Sequence, residues 1–515
     1  MKATIKLFFV IAFMQLGFAA SAKDYYAADF GAKADGKTMN TKTIQAAIDY
    51  ISEHGGGRLI FSPGSYVSGT IYLKSDVTLH LEGGSTLLGS INPWEYDKHP
   101  SVNWESFIWS VGQKNIGITG SGTIDGQGFK VSTTKLAYYQ RGVTGFPMDP
   151  QTNSAALKIM RLDRLNEDQR PVNIYFRECE NVYVDGITLR DPACWNQIYD
   201  QCKNVKIYNI TVDAKAYWNN DGIDIIDCDS VHIKGCNVDA ADDVFCFKSH
   251  SADHICQNVL IEDCIGRSSA NGVKFGTVSK GGFKNFEIRN ITIFNTARSA
   301  ITFAAVDGGI CENIHVDGVR SYNTGNVIFL RTDLRWHREG MISSMNNVTI
   351  KNVYAEVPAG KGDAGYSYEC PIEDLPRNIS PAIIIYGQPD MIIDNVTLEN
   401  IEITSPGAGN PHYAYRGTTP EELDAIPDMR ATYPEFSMQK ELPSWGFYTR
   451  HASNITVKNM TLHADKKDYR PAVLFHDVNK ISFENIKLDE PESEGKKQVV
   501  SHKAKSALYD NQPVK

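Results

Sequence analysis

From residue 180 onward the apolar positions recur with period two and then break, again and again. The unit reads Asn, aliphatic, any, aliphatic, two small or polar residues, then aliphatic, any, aliphatic, as in Asn181-Val182-Tyr183-Val184-Asp185-Gly186-Ile187-Thr188-Leu189. It returns at Asn204, Ser230, Asn258, Asn285, Asn313 and Asn347, at intervals of 23 to 28 residues and then 34, and more distantly at Asn395 and Asn454. Alternation, a small turn and renewed alternation describe strand, bend, strand. No coil of this kind can bury its own apolar face, so successive coils must stack and share one core. The pattern predicts an all-β fold, a right-handed single-stranded parallel β-helix over residues 23–490. It places the repeated Asn in a side-chain ladder at one turn. Cys179, Cys202, Cys228, Cys256 and Cys311 all precede the first repeat position by two residues, which predicts inward stacked thiols rather than disulfides.

The open end of a solenoid needs a cover. Asn40 to Ile51 reads as a capped amphipathic helix, apolar at Ile44, Ala47, Ile48 and Ile51 and stopped by Gly55-Gly56-Gly57. After residue 60 the pattern predicts no further helix. Two stretches, roughly 355–390 and 404–450, interrupt the repeat and read as loops at the rim or flank of a cleft. Residues 491–515 read as a charged, weakly patterned tail.

Composition changes the picture in three ways. Residues 1–22 carry Lys2 and Lys6, an apolar run from Leu7 to Ala20 and the small triplet Ala20-Ser21-Ala22, the form of a cleavable signal peptide. The expected location is secreted or periplasmic, with no membrane insertion. The net charge of −9 over 515 residues argues against a nucleic-acid partner. A monomer is expected.

The candidate chemistry lies in Trp218–Ser249. Asp221 and Asp242 stand 21 residues apart, read as one coil, and Asp243 follows directly. Aligning the second strands stacks Asp221, Asp242, Asn271, Ser299 and Gly325 in one column, and Asp224, Phe245, Lys274, Thr302 and Ile328 in an outward column beside it. Clustered carboxylates cannot all keep ordinary pKa values, so one is expected to hold its proton. The spacing leaves glycoside hydrolysis, cation binding and plain turn chemistry all open.

Asn219-Asn220-Asp221 and Ala241-Asp242-Asp243, with Gly120-Ser121-Gly122-Thr123-Ile124-Asp125-Gly126 and the opening Asp29-Phe30-Gly31-Ala32, resemble the motifs of the polygalacturonase family, glycoside hydrolase family 28. The resemblance implies hydrolysis of pectic polysaccharide with inversion. Asp242 would be the general acid, and Asp221 and Asp243 would activate water. It implies no metal and no organic cofactor, and an anionic pectic polymer or oligosaccharide as partner. Two family features differ here. Where polygalacturonases have Gly-His-Gly, this chain has Ala270-Asn271-Gly272, and in the aligned register Thr302-Phe303-Ala304 stands for their Arg-Ile-Lys. In lacking that histidine the chain is similar to rhamnogalacturonan-cleaving members. Asn219, Asn220, Lys248, Asn271, Lys274, Arg331 and Arg335 are the expected substrate-binding residues, with Trp218 and Trp336 as sugar-stacking candidates. The expected substrate is rhamnogalacturonan or decorated galacturonan; a plain polygalacturonase, a calcium-dependent lyase with Lys274 as base and a non-catalytic glycan-binding solenoid are the alternatives.

Overall fold

The computed structural model describes residues 23–141, 164–336, 340–362, 380–412 and 415–514. The expected signal peptide, Cys370 and His337 lie outside them. Short strands run parallel to strands one coil away, and three stacks of such pairings wind along the chain. One stack joins Val182 to Val205, Val231, Val259, Phe286 and Ile314. Another joins Ile198 to Asp224, Cys246, Lys274 and Thr302. The architecture is a right-handed parallel β-helix.

The turns show why Asn recurs. Asn181, Asn204, Asn258, Asn285, Asn313 and Asn347 all have φ between 55 and 58°, the left-handed region that Asn tolerates better than most residues. Each side chain then bonds along the stack: Asn204 Nδ2 donates to Asn181 Oδ1 at 2.7 Å, Asn285 to Asn258 at 3.0 Å, Asn313 to Asn285 at 3.1 Å and Asn347 to Asn313 at 2.7 Å. One residue type thus makes the bend and ties the coils. Inside, Cys256 pairs with Phe283, Phe283 with Cys311, and Cys311 with Met345, so the thiol column is a strip of apolar core. The nine described cysteines are free and buried.

The helix Thr41–Glu53 (α1) buries Ile44, Ala47, Ile48 and Ile51 against the first coil. Three expectations need correction. A second helix, Gly128–Gln140 (α2), follows residue 60. Its buried face is Val131, Ser132, Lys135 and Tyr139, with Lys135 paired to the buried Glu105, so it has no apolar stripe to reveal it. The stretch beyond 491 continues the stack: Val499–His502 pairs with Val473–His476, and Ala507 with Ile481. The insertion 415–440 is more than a loop at the rim or flank, because it packs on the outer face of the sheet that bears the aspartates and contributes buried Leu423, Phe436 and Glu435. Among the described residues no helix is long and apolar enough to cross a membrane.

Candidate active site

The aspartates sit just before two neighbouring strands, Ile223–Ile226 and Phe245–Ser249. The pairing of Ile223 with Phe245, and of Phe245 with Val273, sets the register. Gly222 N donates to Asp243 O at 2.9 Å, and Val244 N to Asn271 O at 2.9 Å. The column is therefore Asp221, Asp243, Asn271, Ser299 and Asn326, one position off the sequence alignment at two levels. The outward column is Asp224, Cys246, Lys274 and Thr302. The coil between the aspartates holds one residue more than the alignment allowed. Gly222 allows the close fit: a Cβ there would stand 2.5 Å from Val244 O.

This slip changes which carboxylates share a face. Asp243 lies directly above Asp221, while Asp242 is turned aside, as two successive extended residues must be. Asp242 Oδ1 accepts from Asp243 N at 2.9 Å, and its Oδ2 lies 3.5 Å from Asn219 Nδ2. Asp242 is half-buried, whereas Asp221 and Asp243 are buried. Asn219 is held in turn: its Oδ1 accepts from Arg170 Nη2 at 2.9 Å, and the same buried guanidinium donates to Ala193 O and Trp218 O. Asn220 is wholly structural. It accepts from Tyr217 N and donates to Pro192 O and Cys194 O.

Below the pair, Lys248 reaches Asp224 Oδ1 at 2.8 Å, Asp221 Oδ2 at 3.4 Å and Cys246 Sγ at 2.7 Å, with its ammonium 4.3 Å from the ring centre of Trp195. It braces the carboxylates. Burial lowers its pKa, but Asp224, Cys246 and Asp221 outweigh that, and the net shift is upward. Burial, reinforced by Asp224 and Asp242, pushes the Asp221 carboxyl well above its ordinary value against the pull of Lys248. Burial likewise lifts Asp224 to about 6, with Lys248 opposing. Asp221 Oδ1 and Asp224 Oδ2 are buried without a protein donor. Donor atoms of Asp221, Asp243 and Cys246 lie within 4.8 Å of one another. That set could hold a cation, but the Lys248 ammonium already supplies positive charge to two of its members.

Beside Asp243, Asn271 donates to Asp243 Oδ1 from Nδ2 at 2.8 Å and from its backbone N at 3.0 Å. The same Nδ2 lies 3.1 Å from Glu435 Oε1, which also accepts from Lys274 Nζ at 2.6 Å and Arg298 Nη1 at 3.1 Å. Lys274 is completely buried, so it cannot meet a substrate carboxylate or serve as an elimination base. Arg331 and Arg335 are also committed. Arg331 is buried on Asp333 and Met429 O, and Arg335 is bidentate on Asp307. Trp336 is 62% exposed beside Arg335, and Trp218 packs under Arg164.

The sequence reading missed Glu435, Arg298, Arg170 and the aromatic flank. Glu435 lies 164 residues beyond Asn271 in an unpatterned insertion, where no periodicity marks it. The flank could have been suspected from Trp104 and Trp195. Their rings are 4.9 Å apart, and Trp104 lines two hollows, of about 270 Å³ with Tyr175, Ile226 and His250, and about 440 Å³ with Arg164, Arg170 and Asn219. Aromatic walls beside carboxylates suit sugar rings.

Known proteins share this fold and part of this sequence. An exo-poly-alpha-D-galacturonosidase of Dickeya chrysanthemi is 32% identical over 192 residues, 32% of this chain and 32% of that protein, so the chain spans about a third of that relative. The crystal structure of a hyperthermoactive exopolygalacturonase from Thermotoga maritima matches 74% of this chain and 87% of its own with a TM-score of 0.59 at 24% identity. A family 28 exopolygalacturonase from Yersinia enterocolitica matches 96% and 80% with a TM-score of 0.54 at 20% identity. These two share the fold. The model of glycosyl hydrolases family 28 matches residues 63–364, more than half of the chain, across both aspartate strands, and the chain belongs to that family.

Proposed function

We propose that the protein hydrolyses pectic polysaccharide with inversion at the anomeric carbon. Asp242 protonates the glycosidic oxygen as the bond to it breaks. A water held between Asp221 and Asp243 attacks from the opposite face and gives up its proton to that pair. The observation that carries this reading is the stacking of Asp221 and Asp243, with the less buried Asp242 aside. Two carboxylates face one inner point, and the third is partly exposed, where a leaving oxygen can reach it. Asn271 and Lys248 position them.

The substrate is rhamnogalacturonan or decorated galacturonan rather than plain polygalacturonan. Asn271 stands beside Asp243, and Lys274 is neutralised by Glu435. Lys248, Arg331 and Arg335 are all held by carboxylates, which leaves none of the expected cations to grip a galacturonate carboxylate beside Asp243. The aromatic flank suits a less charged sugar face. Secretion follows from such a substrate, which is a polymer outside the cell. Incubation with purified rhamnogalacturonan, homogalacturonan and branched pectic fragments, with reducing ends counted, tests this. Release is expected from the first and third. Release from homogalacturonan alone would reject the substrate assignment.

A further inference from the structure

Beginning three coils beyond Asp243, the same outer sheet face carries a second polar column: Arg331, Tyr386, Arg450, His476 and His502 pair in succession. Its last two members are imidazoles on adjacent strands, with ring centres 5.4 Å apart. Asp424, from the short helix Pro420–Asp424 of the insertion, closes on them, and its Oδ1 lies 2.6 Å from His502 Nε2. One nitrogen of each histidine and one oxygen of Asp424 lie within 4.8 Å of one another. We propose that Asp424, His476 and His502 form a binding site for one transition-metal ion of the zinc type.

The donor set, two imidazoles and a carboxylate, is one that zinc takes, leaving a fourth position for water. Zinc ligand atoms lie about 2 Å from the ion, so side-chain movements of under about 1 Å complete the site. His476 is built as a ligand. It is 2% exposed, and Nδ1 pairs with the Tyr448 hydroxyl at 3.1 Å. An outer-shell bond of that kind fixes a ring and selects the nitrogen offered to a metal. The opposing charges are Arg450 and Lys503. Arg450 is engaged with Tyr386, Ile426 O and Asp428. Lys503 Nζ lies 2.7 Å from Asp424 Oδ1 but is 55% exposed, so a metal can displace it into solvent. The bound ion would clip the insertion that carries Glu435 to the last coils of the solenoid.

Titration of the chelator-treated full-length protein with Co²⁺ tests the site without reference to hydrolysis. A tetrahedral visible band at one equivalent is expected, displaced by Zn²⁺, and a melting temperature raised by Zn²⁺. Asp424→Ala and His502→Ala, both at partly exposed positions, should lose the band and the shift, while Lys503→Ala should bind at least as tightly. Tyr448→Phe should bind about tenfold more weakly. No band in the native chain, or the same band in the Asp424→Ala/His502→Ala double variant, would overturn the proposal.

Discussion

Asn271 gives both its backbone N–H and its side-chain amide to one oxygen of Asp243, at 3.0 and 2.8 Å. The amide is itself fixed, because Asn271 Oδ1 accepts from Ser299 N at 3.2 Å and Thr302 Oγ1 at 3.1 Å. In the proposed mechanism this makes Asn271 a positioning residue for Asp221 and Asp243, the pair proposed to activate water. Asn271→Ala should lower kcat roughly 10²-fold, the scale of a misplaced catalytic group, with KM changed far less. Steady-state kinetics on the best pectic substrate decide this. An unchanged kcat would separate Asn271 from the reaction.

Glu435 joins the insertion to the solenoid through charge. It is fully buried and accepts from both Lys274 and Arg298. Removing one partner of a buried ion cluster strands the others, so Glu435→Ala should cost about 3–5 kcal/mol. Glu435→Ala combined with Lys274→Met should cost less than the sum of the two single changes. Chemical denaturation of the three variants measures it, and strict additivity would show that the pair does not act as a unit.

Asp224 links stability to pH. Its folded pKa of about 6 exceeds the ordinary 3.8, so the folded chain binds more protons than the unfolded chain between those values. Its stabilising contribution is then full below about pH 4 and is lost as pH rises through 6, a change of about 3 kcal/mol. The difference in unfolding free energy between the native chain and Asp224→Asn should shift by that order from pH 4 to pH 6. A difference flat across that window would show that Asp224 titrates as an ordinary carboxyl.

The ladder makes a separable claim. Asn285 has φ 58° and bonds both Asn258 and Asn313. Asn285→Gly keeps the backbone freedom and loses the bonds, while Asn285→Ala loses both. Gly should cost about 1 kcal/mol and Ala about 1–2 kcal/mol more. Equal losses would mean that the left-handed turn contributes nothing.

The solenoid was legible because its rule is local. Alternation recurs in coil after coil, with an Asn at most of the bends and a thiol two residues before five of them, and the structure keeps this pattern, with Phe283 and Met345 filling the thiol column where Cys is missing. The capping helix was legible for the same reason, with its four buried residues spaced by the helical period. The register at the aspartates was not. Aligning Asp221 with Asp242 matches Asp to Asp, but the chain pairs Gly222 with Val244 and moves Asp243 into the column. One residue in a coil cannot be placed by pattern when both candidates are Asp. The lysine and arginine roles failed for a different reason. Lys274 faces outward, as read, but the insertion covers it and Arg331 through Glu435 and Met429, contacts that carry no periodic mark, while Arg335 is taken up by Asp307. Helix α2 escaped because its buried face is held by Lys135 and Glu105 instead of aliphatics.

The central claim is that Asp242 protonates the leaving oxygen while water attacks from the opposite face. Proton NMR of the first product anomer, followed from the moment of mixing with a susceptible pectic oligosaccharide, tests it most directly in the native chain and in Asp242→Asn. The native enzyme should release the inverted anomer with no requirement for calcium, and Asp242→Asn should release none while still binding the oligosaccharide. A retained anomer, an unsaturated calcium-dependent product, or undiminished turnover by Asp242→Asn would contradict it.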